Sequence, residues 1–214
     1  MDLGKDVKYI KGVGPNRVLL LNKLNIFTLK DLITYYPRDY EDRSKVKSLY
    51  ECVDGQEVTI EVIACSRVSE VRLKNKTMQK LIVRDETMSA VITWFNQPYL
   101  KNKFEIGKKY RFFGKISNKF GKVEINSPVF DEIENTKNTG KIVPIYPLTY
   151  NLSQNTLRKI MENAIAEVKG NLEETLPDYI LKENNLIDIN KATEMIHFPR
   201  KVRRFSNSKK KVSF

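Results

Sequence analysis

The run Val58-Thr59-Ile60-Glu61-Val62-Ile63-Ala64 decides the fold. Val58, Ile60, Val62 and Ala64 fall on every second position, the period of a strand with one face against a core. The period returns downstream. Met78, Leu81 and Val83 lie in a second strand, and Ala90 to Phe95 form a third. Tyr110, Phe112 and Gly114 alternate with Arg111, Phe113 and Lys115 in a fourth, and Val123 and Ile125 lie in a fifth. Asp85-Glu86-Thr87-Met88 is the turn between the second and third strands, and Asn118-Lys119-Phe120-Gly121 leads into the fifth. Asn96-Gln97-Pro98-Tyr99-Leu100-Lys101, between the third and fourth, reads as a short helix. Five strands with a short helix between the third and fourth is the order of an OB-fold barrel.

Outside this block the period becomes helical. Towards the amino terminus, residues 5–36 read as helix. Pro15 suits a first turn, where its missing amide costs nothing. Thr28-Leu29-Lys30-Asp31 resembles a capping box, with Thr28 as cap and Asp31 reaching back. Ile10-Lys11-Gly12-Val13-Gly14-Pro15-Asn16-Arg17 matches the hairpin of a helix-hairpin-helix: Gly12 and Gly14 permit the tight turn, and the amides at the helix start can hold a phosphate, with charge from Arg17 or Lys11. A glycine turn that only packs two helices would use the same residues. Residues 38–48 are polar and without period, a connector. Beyond Pro144-Ile145-Tyr146-Pro147, Leu157, Ile160, Met161, Ala164, Ile165 and Val168 recur at spacings of three and four, between Ser153 as cap and Gly170 as stop. Two shorter helices follow, near 177–184 and 189–196. The expected fold is thus α+β: a helix-hairpin-helix segment over 1–48, an OB-fold over 49–134, a helical linker over 135–199 and a basic tail over 200–214.

The formal net charge of +12 points to a polyanionic partner. Residues 200–214 hold seven Lys and Arg and no acid, so +7 of the +12 sits there and +5 is left for residues 1–199. Binding by the body must therefore come from clustering. No stretch approaches the roughly 18 apolar residues of a spanning helix, and the amino terminus lacks the apolar core of a signal peptide. Cys52 and Cys65, both in apolar surroundings, read as reduced thiols. His197 is the only histidine, with no cysteine or acid cluster around it, so neither a metal nor a catalytic role is expected. Glu173-Glu174 and Asp131-Glu132 read as surface charges.

OB-folds bind single strands by combining basic grooves with aromatic platforms. Trp94, Phe95 and Tyr99 cluster at the end of the third strand, followed by Lys101 and Lys103. Neighbours on a strand point to opposite sides, so Trp94 is assigned to the core and Phe95 to the outside. If 96–101 is helical, Phe95 and Tyr99 share one face. A second basic set lies on the hairpins: Arg67, Arg72, Lys74, Lys76 and Lys80, then Lys115, Lys119 and Lys122. An ordinary solvated face would look the same. A phosphate loop needs four residues between its glycine and Gly-Lys-Ser/Thr. Gly107 to Gly114 and Gly114 to Gly121 each have six residues between, and Lys115-Ile116 and Lys122-Val123 lack the hydroxyl. ATP hydrolysis by this chain is not expected.

Several segments together resemble the bacterial ATP-dependent DNA helicase RecG: Ile10-Lys11-Gly12-Val13-Gly14-Pro15, Tyr36-Pro37-Arg38-Asp39-Tyr40-Glu41-Asp42-Arg43-Ser44, Phe95-Asn96-Gln97-Pro98-Tyr99-Leu100, Pro144-Ile145-Tyr146-Pro147-Leu148-Thr149, Leu152-Ser153-Gln154 and Ile196-His197-Phe198-Pro199. They run over essentially the whole chain in the family's order. The resemblance implies the wedge module of an enzyme that reverses stalled forks and migrates branches in DNA repair and recombination. It implies that Phe95 and Tyr99 stack on exposed bases at a branch point. Lys80, Lys101, Lys103, Lys119 and Lys122, from the basic clusters, are the expected phosphate contacts. It also implies a bacterial cytoplasmic, nucleoid-associated setting. The chain stops at Phe214, where the family continues into its ATPase domains, so ATP and Mg2+ would belong to an absent motor and no cofactor is expected here. Position 150 is Tyr, where the family usually runs Thr-Glu-Gly. The expected partner is forked or branched DNA bound by a monomer, with single-strand-binding protein as a further partner. Two alternatives stay open: a general single-strand DNA or RNA binder, and a module that holds an acidic peptide such as a single-strand-binding-protein tail.

Overall fold

The computed structural model describes residues 2–199, and the basic tail 200–214 lies outside the described residues. In chain order the chain forms α1 (Pro15–Asn22), α2 (Leu29–Ile33) and β1 (Asp39–Asp42). Eight strands follow: β2 (Val46–Lys47), β3 (Glu57–Ala64), β4 (Ser69–Leu73), β5 (Lys76–Arg84), β6 (Ser89–Phe95), β7 (Lys109–Lys119), β8 (Lys122–Asn126) and β9 (Val129–Glu132). The chain ends with β10 (Ile142–Ile145), α3 (Gln154–Val168), α4 (Asp178–Glu183) and α5 (Ile189–His197). These elements divide into two compact units, 42–141 and a discontinuous one made of 1–41 with 142–214, of which 2–41 and 142–199 are described.

The first unit is the expected barrel. β3 pairs antiparallel with β5 and with β7, β5 with β6, and β7 with β8, while β6 and β8 run parallel and close the ring. The alternation read from the sequence is the inward set: Val58, Ile60, Val62 and Ala64 are all buried, as are Leu81, Val83, Ala90, Ile92, Tyr110, Phe112, Val123 and Ile125. Aromatic rings fill the centre. Phe104 lies 5.4 Å from Trp94, 5.0 Å from Tyr110 and 4.8 Å from Phe130, centroid to centroid. The polar ends of two of these residues are satisfied, since Trp94 Nε1 donates to the Pro128 carbonyl and the Tyr110 hydroxyl accepts from the Glu105 amide. At Gly114 a Cβ would come 2.8 Å from Ile125 Cγ2, so only glycine lets β7 pass this close to β8.

Three strands were not visible in the sequence pattern. β2 pairs with β3, β9 with β7, and β4 with β5. The connector expected over 38–48 also contains β1, which pairs with β10. Asp131, read as a surface charge, is buried. Its carboxylate accepts from the Asn138 and Thr139 amides at 2.6 and 2.7 Å and from the Thr139 hydroxyl, so it organises the loop that closes the barrel unit. Of the two cysteines, Cys52 is buried and Cys65 is exposed.

In the discontinuous unit the capping box is present: the Asp31 amide donates to Thr28 Oγ1, and the Thr28 amide donates to Asp31 Oδ2. Ser153 caps α3 by accepting from the Thr156 amide. Gly170, at φ +75°, follows its end. The helix before Gly12 is a single 3-10 turn, Val7–Tyr9. The boundaries expected at 48/49 and 134/135 therefore fall at 41/42 and 141/142. Residues 142–199 are also not a separate linker. The apolar stripe of α3 shares one core with Val7, Ile10, Leu21, Leu29, Leu32 and Ile33, because neither segment has enough apolar surface to bury alone.

Candidate nucleic-acid interface

Phe95 is the last residue of β6. Its neighbour Trp94 is 1% exposed in the barrel core, whereas Phe95 lies at the outer surface, half-buried, with Lys76 Nζ over its ring at 4.5 Å from the centroid. The expected opposite facing of the two rings is therefore found. The expected shared helical face with Tyr99 is not. Asn96 follows with a left-handed φ of +54°, and the helix, a 3-10 turn over Pro98–Asn102, begins only two residues later. Phe95 and Tyr99 are thus presented by a strand end and by a separate turn.

That turn is held from beneath. Asn96 exchanges two hydrogen bonds with Thr77, accepting from its amide through Oδ1 and donating its own amide to the Thr77 carbonyl, both at 2.9 Å. Gln79 is fully buried under it: Nε2 donates to Glu70 Oε2 and Thr77 Oγ1, and Oε1 accepts from the Gln97 amide at 3.0 Å. Leu100 is buried, which leaves Tyr99 73% exposed with its hydroxyl donating to Gln97 Oε1. A rigid mount of this kind lowers the ordering cost of a stacking contact. Gln79 and Asn96 were missed as positioning residues, although an inward amide on a strand of aliphatic residues is a signal that could have found Gln79.

The lysines divide between the two ends of the barrel. Lys101 and Lys103 are exposed on and just after the turn that carries Tyr99. Lys76 joins them at the tip of the β4–β5 hairpin, opposite Leu73. Lys80 is half-buried and pairs with Thr93, one step along β5 from Phe95's partner Met78 on the same face. Lys119 and Lys122 face each other across the tip of the β7–β8 hairpin. β8 runs parallel to β6 with Val123 level with Ala90, so this tip lies at the end of β6 remote from Phe95. The structure therefore brings Phe95, Tyr99, Lys101 and Lys103 together and sets Lys119 and Lys122 apart. In the discontinuous unit, Gly12 takes φ +91°, its carbonyl accepts from Arg17 Nη1 at 2.6 Å, and the Lys11 carbonyl accepts from Asn163 of α3. Gly14 is the cap of α1 and is exposed, whereas Val13 is buried and its amide donates to the Ile10 carbonyl.

The sequence matches the RecG wedge domain family over residues 6–168. The chain belongs to the RecG wedge family. Among relatives named ATP-dependent DNA helicase RecG, that of Thermotoga maritima is 34% identical over 218 residues, covering 100% of this chain and 28% of the relative. That of Streptococcus pneumoniae is 29% identical over 220 residues, covering 100% and 31%. A solved structure described as RecG bound to a three-way DNA junction superimposes with a TM-score of 0.90 at 34% identity, covering 99% of this chain and 29% of that one. This chain thus corresponds to less than a third of the RecG proteins it matches, namely their wedge part. After Tyr150, Asn151 takes φ +65°, a conformation asparagine tolerates better than most residues.

Proposed function

We propose that this chain is the structure-specific DNA-binding module of a RecG-like helicase, and that it holds the branch point of forked or branched DNA by stacking Phe95 and Tyr99 on unpaired bases. The observation that carries this reading is an aromatic pair, Tyr99 exposed and Phe95 half-buried, on a buried hydrogen-bonded mount, with Lys101 and Lys103 beside it, in a family whose relative is described as bound to a three-way junction. Stacking supplies roughly 1–3 kcal/mol per base without sequence preference, and lysines supply backbone contacts that position without specifying. Lys80, Lys119 and Lys122 extend the phosphate contacts along the barrel, and the exposed Gly12 and Gly14 with Arg17 add a backbone contact. The module contributes binding as a monomer in the bacterial cytoplasm, at the nucleoid, and leaves ATP and Mg2+ to a motor elsewhere.

Fluorescence anisotropy with a three-way fork, its plain duplex arm and a single strand tests this, at about 0.15 M salt where exposed charges are largely screened. The full chain, a chain ending at Pro199 and the Phe95→Ala/Tyr99→Ala double variant are compared. Preference for the fork, kept without the tail and lost in the double variant, is the expected result. Equal binding to all three ligands, unmoved by the substitutions, sinks the reading. Equal affinity for fork and single strand would instead identify a general single-strand binder. Binding of an acidic peptide that the double variant retains would identify a protein-interaction module.

A further inference from the structure

Residues 119–122 form a two-residue hairpin turn, Lys119 opposite Lys122, with Phe120 at φ +53° and Gly121 at φ +74°. Turns of this kind take asparagine or glycine at their first central position, because a bulky side chain is strained at positive φ. Phe120 is nonetheless 103% exposed, more than any other large apolar side chain among the described residues. The lysines on either side are directly cross-strand, an arrangement of like charges that destabilises a hairpin. Three unfavourable choices therefore coincide at one tip: left-handed backbone under a large side chain, a ring wholly in water, and paired cations. Local costs of this kind concentrate at sites of function.

The tip is joined to the Phe95 end by an outward-facing strip of the barrel. On β5 this strip holds Met78, Lys80, Ile82 and Arg84, of which Ile82 is 49% exposed. On β6 it holds Ser89, Val91 and Phe95, with Thr93 between them only 4% exposed. Strands rise about 3.3 Å per residue, so Phe95 lies roughly 17 Å from Ala90, and Phe120, three residues before Val123, lies roughly 25 Å from Phe95. A stacked strand of about 3.4 Å per nucleotide covers that distance with about seven nucleotides.

We propose that Phe120 is a second base-stacking residue, and that the single-stranded arm leaving the branch point runs along the outer face of β5 and β6 to it. Lys80 and Arg84 line the track, and Lys119 and Lys122 hold the phosphates on either side of the stacked base. The ligand is unpaired nucleic acid. This rests on the branch-point reading above for the near end of the track.

The test measures affinity of the full chain for two forks that differ only in the length of the single-stranded arm, about two and about ten nucleotides. Phe120→Ala is expected to weaken the long-arm fork roughly tenfold and to leave the short-arm fork unchanged. Phe120→Asn, which suits the turn better than phenylalanine and so folds at least as well, is expected to lose as much. Phe120→Trp is expected to bind as the parent does. Full long-arm affinity in Phe120→Ala and Phe120→Asn overturns the proposal, and so does an equal loss on both forks. The underlying reading fails separately, if Phe95→Ala/Tyr99→Ala leaves short-arm binding unmoved.

Discussion

Among single residues, the lone histidine is the most informative. His197 is buried between two partners: Nε2 lies 2.8 Å from the Ile33 carbonyl and Nδ1 lies 2.8 Å from the Tyr146 hydroxyl. A carbonyl can only accept, so Nε2 carries the proton, Nδ1 is the acceptor, and Tyr146 donates to it. Burial pushes the imidazole down to about 4, against the opposing hydrogen bond to Ile33, and it pushes the Tyr146 phenol up. Both groups are thus held neutral. The unfolded imidazole titrates near its ordinary value of 6.5, so between that pH and about 4 the unfolded chain binds a proton that the folded chain refuses. This contribution is fully present above 6.5, is lost as pH falls, and amounts to about 3 kcal/mol once both states are protonated. Urea titrations at pH 7, 5.5 and 4.5 are expected to show that loss in the parent and a shallower one in His197→Ala, which is itself less stable at pH 7. Parallel pH profiles in the two proteins would refute the assignment. The sequence allowed the exclusion of a metal or catalytic role as an expectation, but not the bridge, since Ile33 and Tyr146 are 164 and 51 residues away.

Between residue and fold, the strands differ in what anchors them. β3 pairs with β2, β5 and β7 and buries five of its eight residues, whereas every residue of β4 is exposed and it pairs only with β5. Amide exchange follows local opening rather than strand assignment. The β4 amides are therefore expected to exchange at least tenfold faster than those of β3 and β7, and equal protection across the three would count against this account. The same contrast explains what could be read in advance. Val58, Ile60, Val62 and Ala64 announce a strand because one face is buried. Ser69-Glu70-Val71-Arg72-Leu73 has no buried face to impose a pattern, and β1 and β10 are two short segments that define each other only by pairing. The aromatic pair was legible by residue type and by the opposite facing of Trp94 and Phe95. Its geometry was not, because the left-handed turn at Asn96 depends on hydrogen bonds from Thr77, nineteen residues earlier.

Over the whole molecule, charge sets the response to salt. Each phosphate contact contributes about −0.7 to the slope of log affinity against log salt for single strands, so Lys80, Lys101, Lys103, Lys119 and Lys122 together predict roughly −3.5. Replacing any one by alanine is expected to make the slope shallower by one such step. Removing residues 200–214, with seven of the net charges, is expected to lower affinity for every ligand without changing the preference for a fork. A slope that stays constant through the lysine series would show that the barrel does not carry the contacts.

The division of the helical unit between the two ends of the chain bears on how the protein is made. A ribosome releases residues 2–41 first, but their partner α3 and the bridge through His197 come only after the entire barrel. At about 5–20 residues per second, the 100 residues of the barrel unit, 42–141, separate the two halves by roughly five to twenty seconds. The barrel, contiguous in sequence, can close during synthesis. Meanwhile Leu21, Leu29, Leu32 and Ile33 wait without a core, so the nascent chain presents a greasy segment ahead of the barrel that a chaperone would recognise and that a premature stop before residue 154 would leave permanently uncovered.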